Sequence, residues 1–152
     1  MAWWNTIGLG VPVDRPAGSL GATAVRVILF NVVGGEVLLK CMYFICTIAG
    51  GAGANLVEFD LTPTVGSALS PMDNGAGSIN GAGIGDIMGP QGDITLPAVE
   101  AALGSGIPTF SMPWICKVGT IGVTKTGAFD AGTWVGRLFY TPLTDGAYVV
   151  AA

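Results

Sequence analysis

Val25-Arg26-Val27-Ile28-Leu29-Phe30-Asn31-Val32-Val33-Gly34-Gly35-Glu36-Val37-Leu38-Leu39-Lys40-Cys41-Met42-Tyr43-Phe44-Ile45-Cys46-Thr47 is the stretch whose reading decides the fold. Two runs rich in β-branched and aromatic residues flank Gly34-Gly35. A Gly-Gly pair between such runs signals a hairpin, because both residues take φ > 0 at no steric cost. The stretch therefore reads as a long β-hairpin. On its second arm, alternation sets Val37, Leu39, Cys41, Tyr43 and Ile45 on one face and Glu36, Lys40, Met42 and Phe44 on the other. One face is core-like throughout and the other is mixed, as in a central strand covered at one end only.

On the N-terminal side, residues 1–24 carry Trp3, Trp4, Pro12 and Pro16 with little periodicity. The prolines argue against a helix and allow at most a short edge strand, so an extended arm is expected. Adjacent tryptophans on an arm need a dry surface, on their own domain or on a neighbouring subunit. On the C-terminal side, Gly50-Gly51-Ala52-Gly53 makes a turn. Leu56 to Thr62 then alternates, with Val57, Phe59 and Leu61 inward and Glu58, Asp60 and Thr62 outward. Residues 63–108 are glycine-rich and contain no Lys or Arg. One short helix fits there, capped by Thr95 with Ala98 to Leu103 as its body, and Ile79 to Met88 fits a small-residue strand. The apolar residues of this long connection call for a surface to lie against, in this molecule or another. Strand patterns resume with Phe110, Met112, Trp114, Cys116 and Val118, continue through Gly119 to Lys125, and return at Thr133 to Thr141, where Trp134, Leu138 and Tyr140 oppose Arg137. Asp145-Gly146 turns the chain into Tyr148. Seven or eight strands with glycine and proline turns predict an all-β fold, a β-sandwich of jelly-roll-like form over residues 25–152 with the arm 1–24 in front.

Composition narrows the function. The chain of 152 residues is 51% hydrophobic and 11% charged, against about 25% charged in ordinary soluble domains. A surface so short of charge is expected to be covered by something else. The net charge is −4 and the six basic residues are scattered, which disfavours direct nucleic-acid binding and a polybasic membrane patch. The uncharged run from Cys41 to Val57 is broken by glycines, so it reads as buried strand and no membrane partner is expected. The N-terminus lacks the pattern of a signal peptide. Three cysteines form no disulfide framework; they read as buried, reduced thiols of a cytoplasmically made protein.

The absence of histidine removes Ser-His-Asp and Cys-His nucleophiles and the usual neutral-pH proton shuttle. Gly81-Ala82-Gly83-Ile84-Gly85 has neither the spacing of a dinucleotide fingerprint nor a following Gly-Lys-Ser/Thr. Glu58 and Asp60 share a strand face loosely like a glycosidase pair, with a solvated outer face as the plainer account. Asp73, Asp86 and Asp93 match no calcium loop and read as turn residues. Lys125 and Arg137 read as solvated edge charges or as cross-interface partners. By elimination, no enzyme, cofactor or metal is expected.

The run Gly132-Thr133-Trp134-Val135-Gly136-Arg137-Leu138-Phe139-Tyr140-Thr141-Pro142-Leu143-Thr144-Asp145-Gly146-Ala147-Tyr148-Val149-Val150-Ala151-Ala152 resembles the ending of the capsid decoration, or cement, proteins of tailed phages. Leu29 to Leu38 resembles that family's early hairpin, and Asp60 to Gly66 its next strand and turn. The middle of the chain matches loosely, and the Trp3-Trp4 arm lies outside the pattern. The resemblance implies a virion protein on the outer capsid surface. Its partners would be the major capsid protein and copies of itself, as a dimer or trimer, adding buried area at capsomer joints. Trp3, Trp4, Ile84, Ile87 and Met88 are the expected contact residues, because their segments lack an evident home in the domain's own sheets. The alternative is a receptor- or carbohydrate-binding β module of a tail fibre or spike, using a groove with Glu58 and Asp60.

Overall fold

The computed structural model describes residues 8–66, 70–73, 77–93, 95–101 and 113–152. Among them are twelve strands and no helix: β1 (Val11–Ser19), β2 (Arg26–Val33), β3 (Val37–Ile48), β4 (Ala54–Pro63), β5 (Ser70–Pro71), β6 (Gly77–Asn80), β7 (Ile87–Gly89), β8 (Val99–Ala101), β9 (Trp114–Cys116), β10 (Gly119–Thr126), β11 (Thr133–Pro142) and β12 (Tyr148–Ala151). Two antiparallel sheets pack face to face as a β-sandwich. Sheet A runs β1-β11-β3-β7-β8, with β9 also on β3; sheet B runs β12-β2-β10-β4-β5, with β6 also on β4.

The opening stretch is not a hairpin. β2 belongs to sheet B and β3 to sheet A, so Gly34-Gly35 carries the chain across the core from one sheet to the other. The glycines serve a close approach. Gly34 has φ 78°, and a Cβ there would run into the carbonyl oxygen of Gly146. Residues 143–147 form a second corner, from β11 in sheet A to β12 in sheet B, lying against the first. The Leu143 and Thr144 amides donate to the Glu36 carbonyl at 2.9 and 3.3 Å, and the Glu36 amide donates to Thr144 Oγ1 at 3.2 Å. At the opposite end the β3–β4 and β10–β11 corners nest in the same way. The Gly51 amide donates to the Asp130 carbonyl at 2.9 Å, and a Cβ on Gly132 would strike the Ile48 carbonyl oxygen. The chain thus doubles back as a ribbon: β2 pairs β12, β3 pairs β11 and β4 pairs β10, the nesting expected of a jelly-roll-like fold.

A bulge in β3 corrects the predicted faces. Leu39 pairs Tyr140 while Cys41 pairs Phe139, leaving Lys40 as the extra residue. An extra residue reverses the alternation beyond it. Val37 and Leu39 point into the core before the bulge, and Met42, Phe44 and Cys46 after it. Tyr43 and Ile45 are turned outward. Phe44 lies between Phe30 and Phe59 of the other sheet, with ring centroids 6.4 and 5.5 Å away, which locks the two layers together. Trp134 is fully buried and its indole donates to the Ala131 carbonyl at 2.7 Å. The inward sets Val57, Phe59, Leu61 and Trp134, Leu138, Tyr140 are as the alternation predicts.

Two other expectations change. Val11 to Ser19, expected as arm with at most a short edge strand, is a nine-residue edge strand on β11; Pro12 and Pro16 are tolerated because one side of β1 has no strand partner among the described residues. A bulge between Arg15 and Gly18 accompanies the turning inward of Arg15, where burial lowers the pKa of its guanidinium. Within 63–108, the segment expected to be a helix body forms β8 on β7 as far as Ala101. The connection supplies β5 and β6 to sheet B and β7 and β8 to sheet A, so Met72, Ile79 and Met88 lie in this molecule's own core, while Val65, Ile84 and Leu96 stay exposed. The expected strand positions Phe110 and Met112 lie outside the described residues.

Gly34 and Gly146 share φ 78°, but nothing lies within 4 Å of a Cβ built on Gly146. Gly146→Ala is expected to cost about 1–2 kcal/mol of conformational strain, and Gly34→Ala at least about 2 kcal/mol more, since a backbone must also move. Urea denaturation of the two variants checks this; equal losses would show that the corners do not constrain each other.

Candidate functional site

The polar groups singled out by sequence mostly have structural partners. Asp60, expected on a solvated face, is 1% exposed in its side chain and ion-paired with Arg26, Nη2 to Oδ1 2.5 Å, while Nε donates at 2.7 Å. Arg26 on β2 reaches Asp60 on β4 by crossing β10. Gly122 makes the crossing: it sits in register with both Ile28 and Asp60, and a Cβ there would stand 2.5 Å from Arg26 Cζ. Thr120 completes the clasp, its Oγ1 and carbonyl accepting from the guanidinium at 2.9 and 3.0 Å. Asp60 is therefore not free to act as a general acid beside Glu58 or to line a glycan groove.

Of the aspartates expected in turns, Asp86 and Asp93 are found in that role, whereas Asp73 bridges to β4. The Asp73 carboxylate accepts from the Phe59 amide at 3.0 Å, and that of Asp86 from the Gly83 amide at 2.6 Å. Asp93 accepts from the Thr95 amide and hydroxyl, which hold its carboxyl below the usual value. Among the described residues, no group of three or more His, Cys, Asp or Glu is placed to hold a metal, and no helix is long and apolar enough to cross a membrane. Cys41, Cys46 and Cys116 are buried thiols outside any disulfide. Burial raises the Cys41 thiol and pushes that of Cys116 up to about 12.

The two outer faces of the sandwich differ. On sheet B, Thr62, Thr120 and Thr124 surround the Arg26–Asp60 clasp. On sheet A, register builds three transverse rows: Pro12–Phe139–Cys41, Asp14–Arg137–Tyr43 and Val135–Ile45–Ile87. In the middle row Arg137 grips Asp14 in a two-pronged fork, Nε to Oδ1 2.5 Å and Nη2 to Oδ2 3.0 Å. This fork lowers the Asp14 carboxyl; Asp14 in turn, with a smaller contribution from Tyr43, raises the Arg137 guanidinium. A concavity of about 450 Å³ opens over the middle and third rows, its walls including Asp14, Pro16, Tyr43, Ile45, Val135 and Arg137. Sequence alternation set Arg137 opposite Trp134, but its partner lies on a strand that prolines had disguised.

A second exposed surface lies at the end of the sandwich formed by residues 48–53, 81–86 and 127–132. Backbone hydrogen bonds hold these loops side by side: Gly50 to Ala82 at 3.0 Å, Gly85 to Cys46 at 2.9 Å and Gly51 to Asp130 at 2.9 Å. Ile48, Ile84 and Phe129 project from them at 61%, 67% and 48% exposure. Phe129 is steadied from below, because its carbonyl accepts from Lys125 Nζ at 2.6 Å and its ring occupies the space that a Cβ on Gly53 would fill. Lys125, expected to be a solvated edge charge, is buried on β10, an inner strand between β2 and β4. Phe129 carried no sequence signal beyond its place in a glycine-flanked loop.

Of the five expected contact residues, Ile84 is exposed at the loop end and Ile87 lies on the outer face of sheet A. Met88 is corrected: it is 0% exposed, because its segment is a strand of sheet A and alternation turns it into the core opposite to Ile87. Trp3 and Trp4 lie outside the described residues. Comparison with protein-family models, curated proteins and solved structures finds no match to this chain.

Arg26→Ala leaves the Asp60 carboxylate buried without its cation and is expected to lower the unfolding free energy by about 3–5 kcal/mol, read by urea denaturation. A loss below about 1 kcal/mol would show that solvent reaches Asp60. A thiol whose folded pKa is raised stabilises the fold fully below its unfolded value of about 8.5, and that contribution is lost as pH rises toward 12. The melting temperature is accordingly expected to fall from about pH 9 upward, with all three cysteines resistant to iodoacetamide at pH 8 until denaturant is added.

Proposed function

We propose that this chain is a non-catalytic structural subunit of a tailed-phage particle, one that sits on the outer capsid surface and cements joints between capsomers of the major capsid protein. The observation that carries this reading is the loop end, where three large apolar side chains stand on backbone-tied loops. A rigid apolar tip loses little conformational entropy when it enters a crevice between other molecules. The resemblance of residues 132–152 to decoration proteins and the scarcity of surface charge support the same reading. A carbohydrate-binding module is disfavoured, because it needs Asp60 accessible and Asp60 is buried under Arg26.

Magnitudes fit a cement. Full burial of a large apolar side chain is worth about 1.5–3 kcal/mol, and Ile48, Ile84 and Phe129 are already about half buried or less. The three together then contribute on the order of 3–5 kcal/mol, which association entropy largely offsets. A single copy holds weakly; many copies on one shell hold by multiplicity.

Cosedimentation with empty, undecorated phage shells tests the proposal. Ile84→Asp and Phe129→Ser are each expected to reduce occupancy at least tenfold, while Val65→Ser, at an 85% exposed position beyond the other end of β4, leaves it unchanged. Deleting residues 2–7 asks the same of Trp3 and Trp4. A wild-type chain that fails to bind shells, or loop-end variants that bind as well as wild type, would overturn the proposal.

A further inference from the structure

The outer face of sheet A carries one cation and one anion side by side, with apolar side chains around them. A face bearing charges of a single sign repels its own copy, whereas a face with an adjacent pair attracts a copy turned by 180°. The fork engages Nε and Nη2 of Arg137, Tyr43 is a further partner of the guanidinium, and the Asp14 side chain is 65% exposed, so the carboxylate keeps lone pairs open to solvent and the five-donor guanidinium keeps donors to spare. The concavity beside them is walled by Tyr43, Ile45, Val135 and Pro16, and Ile87 extends the apolar row.

We propose that the outer face of sheet A is where two copies of this chain pair about a two-fold axis, Arg137 of one copy facing Asp14 of the other while Val135, Ile45 and Ile87 exclude water beside them. The charge complementarity of the fork with itself selects a second copy as the occupant, because a two-fold axis brings the same patch to both sides of an interface. The area sets the strength. Four neighbouring strands at about 4.8 Å spacing and about five residues at about 3.3 Å make a face on the order of 300 Å² in plan, well below the roughly 800 Å² per partner of a standard specific interface. The pair is therefore weak in dilute solution and becomes effective where copies are held close together. This inference names the self-contact of the proposed shell subunit, and it is tested without shells.

Analytical ultracentrifugation over a wide concentration range is expected to show a reversible monomer–dimer equilibrium, weakened several-fold between about 0.05 and 1 M salt. D14R alone and R137D alone each place like charges at the axis and are expected to raise the dissociation constant at least tenfold. An equimolar mixture of the two variants restores dimers, and so does the double variant D14R/R137D. Because D14R and R137D also break the fork within each copy, circular dichroism confirms their folding, and Ile45→Lys, which leaves the fork intact, is expected to weaken the dimer as well. A strict monomer at all concentrations, single variants that dimerise as wild type, or a mixture that stays monomeric overturns the inference. A dimer that does not bind shells overturns the cementing role instead, and a monomer that still binds shells leaves that role standing.

Discussion

Two corners of the chain pass so close to two others that no side chain fits between their backbones, and the rest of the sandwich follows from that crowding. Where 34–36 lies against 143–147, and 48–53 against 127–132, the early and late halves of the chain are forced to turn together. Once they turn together, β2 must run beside β12 and β3 beside β11, and the two halves wind as one ribbon. The hydrogen bonds at these corners are ordinary in strength, each worth about 1 kcal/mol net. Their effect on topology is larger, because a corner that cannot nest forbids every strand pairing beyond it.

Within that frame the two sheets are finished differently. Sheet B carries an ion-pair clasp on its outer face, a guanidinium laid over a glycine with an aspartate beneath it and threonines around, and Ile28, Leu56, Tyr148 and Val150 stand exposed on the same sheet. Such a buried pair adds little net stability over an apolar equivalent but is costly to break, so it ties β2, β10 and β4 to one another. Sheet A leaves its outer face partly open, with apolar residues around an exposed ion pair of the kind worth at most about 1 kcal/mol by itself. The loop end adds a third surface, stiffened from beneath by Lys125 and the inter-loop hydrogen bonds.

On the proposed function these surfaces serve association. Each is too small to hold a partner tightly, and they point in different directions, one from the end of the sandwich and one from its side. On the proposed function, an end contact to a shell and a side contact to a neighbouring copy would reinforce each other once both are held on the same scaffold.

Period-two alternation made the all-β class and the inward sets of β4 and β11 readable from the chain alone, and turn chemistry the roles of Asp86 and Asp93, because each depends only on residues near in sequence. The same alternation cannot say which strand lies beside which. Gly34-Gly35 therefore read as a hairpin turn, although the space that it leaves is filled by Gly146, more than a hundred residues later. Lys40 as a bulge, Met88 as core, Lys125 as a buried support and the grip of Arg137 on Asp14 were likewise settled only by tertiary packing. Except for the Lys125–Phe129 hydrogen bond, these depend on contacts between distant segments, and local pattern records which way a side chain faces but not what it meets there.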